Sequence, residues 1–231
     1  MDHQGIIEVV DKSIEMLCSE FQSDPTLFFT ENDLVCYFYC FLWQKLPTSN
    51  VYDKDGYKHF LIHMEYPTPF RCDMSKNKFE IKNDEERTEK GGKYQRGHYD
   101  MVVFNPDFIK DHSYEAIKAQ NYELYKEQVL SNIDRFKPVI LYGLEFMYRR
   151  EPLKYSKGED KEKGINDFVA KVIQDADKLV YSQNKEGFMG KVKMLTFVKG
   201  SSREICDLLT EKLSNRNEII LCFGDYNDNI A

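Results

Sequence analysis

Two apolar runs in this chain each carry one acid in their interior. The first is Gly97-His98-Tyr99-Asp100-Met101-Val102-Val103-Phe104-Asn105-Pro106, and the second spans Val139 to Arg150 with Glu145 near its middle. Both runs are rich in β-branched and aromatic residues and are bounded by prolines, so both read as strands of a covered sheet. A carboxylate on such a strand is costly to bury unless something pairs with it. Two of them on consecutive strands point to one shared cation, and so to a divalent metal and phosphate chemistry.

The 231 residues suffice for one substantial domain. The net charge is −7, which is not the charge of a protein that coats nucleic acid along its whole surface. Residues 71–96 hold eight basic against six acidic residues, and residues 149–163 hold six against four. Excesses of that size read as solvated loops. The N-terminus lacks the basic-then-apolar pattern of a secretory signal, and no apolar run has the length of a membrane span. The six cysteines (Cys18, Cys36, Cys40, Cys72, Cys206 and Cys222) show no CxxC spacing. They are expected as buried free thiols in a reducing cytoplasm.

Around the two runs, periodicity sets an order of elements. Ile6, Ile7, Val10, Ile14, Leu17 and Phe21 give an amphipathic helix over 5–22. Thr30, with Glu31 and Asp33 after it, reads as the cap of a core helix that ends near Leu46. A strand is expected from Tyr57 to Glu65, stopped by Pro67 and Pro69. After the Asp100 strand, residues 107–137 read as a helical insertion. Beyond the Glu145 strand come a helix over 165–181, a strand over Val192–Val198, a helix over Arg203–Leu213 and a strand over Glu218–Phe223. This alternation implies parallel neighbours joined by crossover helices. The expectation is one α/β domain over residues 1–231, with insertions at about 71–96 and 107–137.

Several chemistries lack their motifs. Gly91-Gly92-Lys93 has neither the earlier glycine nor the following Ser or Thr of a phosphate-binding loop. There is no GxGxxG run and no GxSxG elbow.

Thr30-Glu31-Asn32-Asp33-Leu34 opening a helix, His63-Met64-Glu65-Tyr66-Pro67 ending a strand, Gly97-His98-Tyr99-Asp100, and Leu144-Glu145-Phe146-Met147 stand in an order that resembles the PD-(D/E)XK nuclease superfamily. The resemblance covers roughly residues 28–223. It implies a restriction-endonuclease-like mixed central sheet flanked by helices. It also implies Mg²⁺ or Mn²⁺ held by Asp100 and Glu145, with Glu31 as the early helical acid. Glu65, paired with His63 on its strand, joins the candidates as a site acid beside the metal. His98, Arg149 and Arg150 are the candidates for substrate phosphate.

The chain departs from the family at Met147, where the family lysine is expected. Glu145, Met147 and Arg149 share one strand face, and Arg149 stays protonated and makes a poor base. Some members take the lysine from the following helix, where Lys171, Gln174 and Lys178 stand opposite the apolar stripe and are expected in solvent. In the insertion, Tyr114, Tyr122, Tyr125, Lys118 and Lys126 offer rings and cations for bases and phosphates, or plain helix packing. Two functions follow: a metal-dependent nuclease hydrolysing phosphodiesters, DNA foremost, or a catalytically inactive nuclease-fold module for binding or assembly. Nucleic acid is the expected partner, a homodimer is an open option, and no membrane is expected.

Overall fold

The amphipathic repeat at the N-terminus forms α1, His3–Ser23, which buries Ile6, Val10, Ile14, Leu17 and Phe21. Asp2 caps it by accepting from the Gly5 N–H at 2.9 Å. Thr30 caps α2, Glu31–Lys45, in a reciprocal box. The Asp33 N–H donates to Thr30 Oγ1 at 3.2 Å, and the Thr30 N–H donates to Asp33 Oδ2 at 2.8 Å. The cap fixes where α2 begins and so presents Glu31 in its first turn. The computed structural model describes residues 1–46, 51–73, 80–82, 94–136, 138–150, 159–184, 188–201 and 203–224.

A small hairpin pairs β1, Val51–Tyr52, with β2, Lys58–His59. The main sheet contains β3 (Ile62–Asp73), β4 (Glu80–Lys82), β5 (Tyr94–Phe104), β6 (Ile140–Arg150), β7 (Met189–Lys199) and β8 (Ile219–Gly224). Its order is β4-β3-β5-β6-β7-β8. The first three pairings are antiparallel, and β6-β7 and β7-β8 are parallel. The crossovers are α6, Glu159–Asn184, and α7, Arg203–Leu213, as the alternation predicts. The chain is thus α/β, with a mixed sheet flanked by helices.

α1 and α2 cover one face of the sheet. Tyr142 donates to Asp11 on α1 at 2.9 Å, and the Phe146 ring lies 5.7 Å from that of Phe38 on α2. α6 covers the other face, where a Cβ at Gly143 would lie 3.4 Å from Leu179 Cδ2 of α6 and 2.5 Å from Met189 Sδ of the neighbouring β7. The expected insertion at 107–137 holds α3 (Pro106–Asp111), α4 (Tyr114–Lys118), α5 (Tyr122–Gln128) and a 3₁₀ segment, Leu130–Phe136.

Three expectations need correction. The strand expected to stop at Glu65 runs on through Pro67, which pairs with His98, and reaches Asp73. Proline is tolerated there because β4 pairs only with Arg71–Asp73, so the outer edge of β3 at Pro67 has no described strand to supply. The loop expected over 71–96 is partly strand, with Asp73 opposite Tyr94 and Glu80–Lys82 added at the edge; its residues 74–79 and 83–93 lie outside the described residues. The cysteines are not all free thiols: Cys18 of α1 and Cys222 of β8 form a disulfide with a Cα–Cα distance of 5.7 Å, while Cys36 and Cys40 are exposed and Cys206 is buried.

Candidate functional site

β5 and β6 pair only along part of their lengths. The described ladder runs from Phe104↔Ile140 to Met101↔Leu144, and there the strands part. Below that point β5 stays with β3 as far as Tyr94, while β6 stays with β7 as far as Arg150. The gap is a fork, and the N–H groups of β6 that would have met β5 need other acceptors. Asp100 Oδ2 takes the Phe146 N–H at 2.6 Å. Glu31 Oε2, delivered by the first turn of α2, takes the Tyr148 N–H at 3.0 Å. Two carboxylates therefore stand in for a strand.

Glu145 sits at the same fork on the α6 side and is 3% exposed. Its Oε1 lies 2.6 Å from Lys178 Nζ in a buried ion pair. Lys178 donates to the His98 carbonyl at 2.8 Å and approaches Asp175 Oδ1 at 3.5 Å. The backbone of α6 is tied down nearby: Ser182 donates to the Lys178 carbonyl and meets the Tyr99 hydroxyl, both at 2.6 Å. Lys178 is 4% exposed, not in solvent as the helical wheel implies, whereas Lys171 is exposed and Gln174 half-buried. Thus α6 brings one ammonium to the fork although β6 carries Met147, which packs against the core.

The charges at the fork are unbalanced. Glu31, Asp100, Glu145 and Asp175 all have their pKa values raised, burial being the largest cause in each case. For Asp100 the value reaches about 6, because burial and the neighbouring Glu31 and Asp175 outweigh the Phe146 N–H and Lys178. Burial opposes the charge of Lys178, yet Glu145, Asp175 and Asp100 together hold its pKa above the usual lysine value. Lys178 is therefore a fixed cation, and the excess of carboxylates around it is the donor set that suits a hard divalent ion. No three His, Cys, Asp or Glu side chains among the described residues are gathered into a ready-made metal cage.

The other expected residues fall in different places. Glu65 is exposed, has φ +52°, and stands near enough to Glu31 to raise its pKa. It makes no described bond to His63, whose Nε2 meets the Phe60 carbonyl at 3.1 Å. His63 and Tyr66 both touch the Phe104 ring, at 5.2 and 4.8 Å. The pairing of β3 with β5 keeps one register past Glu65, from Ile62↔Val103 to Pro67↔His98, and shifts only between Pro67 and Arg71. Arg149 is turned away from the phosphate role: it donates to the Gly164 carbonyl at 3.1 Å and lies 4.9 Å over the Phe168 ring. The His98 side chain is exposed. The Arg150 side chain lies outside the described residues.

Comparison of the chain with protein-family models, with curated proteins and with solved structures returns no match. No helix among the described residues is long and apolar enough to cross a membrane.

Proposed function

We propose that this chain is a metal-dependent phosphodiesterase of the restriction-endonuclease-like kind, acting on nucleic acid, with DNA foremost. The observation that carries the reading is the buried Lys178–Glu145 pair beside Asp100 at the parting of β5 and β6. An antiparallel run of β3, β5 and β6, followed by a helical crossover to parallel β7, supports the fold assignment.

Asp100 and Glu145 would hold a Mg²⁺ or Mn²⁺ ion. Such an ion, when bound, polarises a phosphoryl oxygen and lowers the pKa of a bound water. Glu31 and Asp100 are held by backbone N–H groups, so their carboxylates need no reorganisation during the reaction. Lys178 supplies positive charge beside the phosphate oxygens, where negative charge develops, and it serves as an electrostatic stabiliser rather than a base because its neighbours keep it protonated. The lysine missing at Met147 is thereby replaced from α6.

A second reading, a module that binds nucleic acid without cutting, is favoured by Met147 where the family lysine is expected and by the net charge of −7. Cleavage assays on single-stranded, duplex and branched DNA with Mg²⁺ or Mn²⁺ separate the two. The nuclease reading expects wild-type cutting and a loss of about 10²–10³-fold in both Glu145→Ala and Lys178→Met, with folding checked by circular dichroism. Salt-dependent binding without any hydrolysis would leave only the second reading.

A further inference from the structure

Next to the fork lies a cavity of about 470 Å³ lined by residues from three parts of the chain. β3 and its approach contribute His59, His63 and Glu65; the insertion contributes Tyr114 and Lys118; β5 contributes His98. Its size lies inside the range of about 300–1,000 Å³ typical of small-ligand pockets. It shares a wall with the candidate site, since Glu65 lines it and so does His98, whose carbonyl holds Lys178.

The wall is built rather than incidental. His59 is 8% exposed and bonds Asp53 Oδ2 through Nε2 at 2.7 Å. Asp53 in turn accepts from the Asp55 and Tyr57 N–H groups, both at 2.9 Å. Tyr66, deeper in, donates to the Ile117 carbonyl at 2.8 Å and so ties the floor of β3 to α4. The Tyr114 ring lies 5.3 Å from that of Tyr57 and 5.6 Å from that of His59, and it remains 38% exposed. Lys118 Nζ stands 5.6 Å from the Tyr114 ring centroid. Burial pushes the His63 imidazole down to about 4, so at neutral pH it offers a neutral ring edge, and Lys118 is the cation of this wall.

We propose that this pocket seats one nucleotide of the substrate, with its base stacked on Tyr114 and its phosphate at Lys118, beside the fork where the neighbouring phosphodiester would lie. The inference rests on the phosphodiesterase reading for its substrate class. A ring wall with one cation suits a planar heterocycle bearing a single phosphate better than an aliphatic or purely anionic ligand. Fixed walls favour binding because little ordering remains to be done. A one-nucleotide seat also suits a chain of net charge −7, a balance that does not favour coating a duplex along its length.

The test is calorimetric titration of the full chain with adenosine 5′-monophosphate in the absence of divalent ions. Saturable binding is expected. Tyr114→Ala should weaken it by about tenfold or more, the loss of one base–aromatic stack. Lys118→Ala should weaken the monophosphate while leaving unphosphorylated adenosine unchanged. Both residues are exposed, so folding should survive either change. No saturable binding, equal binding by Tyr114→Ala, or inorganic phosphate binding as tightly as the nucleotide would each overturn the pocket assignment. Nucleotide binding that depends on Tyr114 in a protein that cuts nothing would keep the pocket and remove only the nuclease reading.

Discussion

Asp100 holds its charge at a cost that pH can expose. Its pKa rises from the ordinary aspartate value of 3.8 to about 6 in the folded chain, chiefly through burial. In the unfolded chain the group ionises near pH 4, so between about pH 4 and 6 the folded state binds more protons than the unfolded one. The Asp100 contribution to stability therefore falls as pH rises through that window, by at most about 3 kcal/mol, and levels off above it. Asp100→Asn keeps an acceptor for the Phe146 N–H and should flatten this slope in denaturant titrations at pH 4 to 7. Adding Mg²⁺ or Mn²⁺ should recover stability above pH 6 in the wild type and not in the variant. A slope unchanged by the substitution would mean that the buried charge is elsewhere. Asp100 and Glu145 were legible in the sequence because an acid inside an apolar run has few cheap explanations. Lys178 was not, because a helical wheel assumes one covered face. α6 also leans over the fork, and its Asp175, Lys178 and Ser182, spaced three and four apart, form a second, polar buried strip. That spacing was the available signal.

Among the strands, β3 departs furthest from what its residues predict. Pro67 and Pro69 read as a stop, but whether a proline ends a strand depends on the edge it faces, and that is a property of the sheet rather than of the segment. The positive φ of Glu65 has no local sequence signature at all. A left-handed conformation costs an ordinary L-residue roughly 1–2 kcal/mol, and glycine escapes that cost while losing somewhat more chain entropy. Strain of this kind collects at functional sites. Here it stands beside Glu31, in a stretch of β3 whose pairing with β5 keeps its register. Glu65→Gly is expected to raise stability by about 0.5–1 kcal/mol, read as a higher denaturant midpoint at unchanged slope. If the fork uses the Glu65 carboxylate, cleavage should fall in the same variant. A lower midpoint would show that the carboxylate itself, and not the backbone, sets the energetics of that turn.

Across the whole molecule, the two ends of the described chain meet. α1 and β8 lie side by side and Cys18 is joined to Cys222 across a separation of 204 residues. The sequence could not announce this, since scattered cysteines carry no spacing signal and the pairing depends on where the parallel crossovers deliver the last strand. Gly224 at the end of β8 marks how closely the two elements approach: a Cβ there would lie 2.9 Å from the Phe21 carbonyl oxygen and 2.7 Å from Pro25 Cβ. A cross-link closing so long a loop restricts the unfolded chain strongly, and removal of such a bond costs about 2–5 kcal/mol. That is a large part of the roughly 5–15 kcal/mol that holds a typical domain together. Cys222→Ser, or reduction of the wild type, should therefore lower the denaturant midpoint substantially. The fork lies between β5 and β6, and β7 separates β6 from β8. On the nuclease reading, cleavage measured well below the transition should consequently be unchanged. In the unreduced, denatured protein Cys18 and Cys222 should resist alkylation, and alkylation of both without loss of stability on reduction would remove the cross-link from the account of how the ends are held.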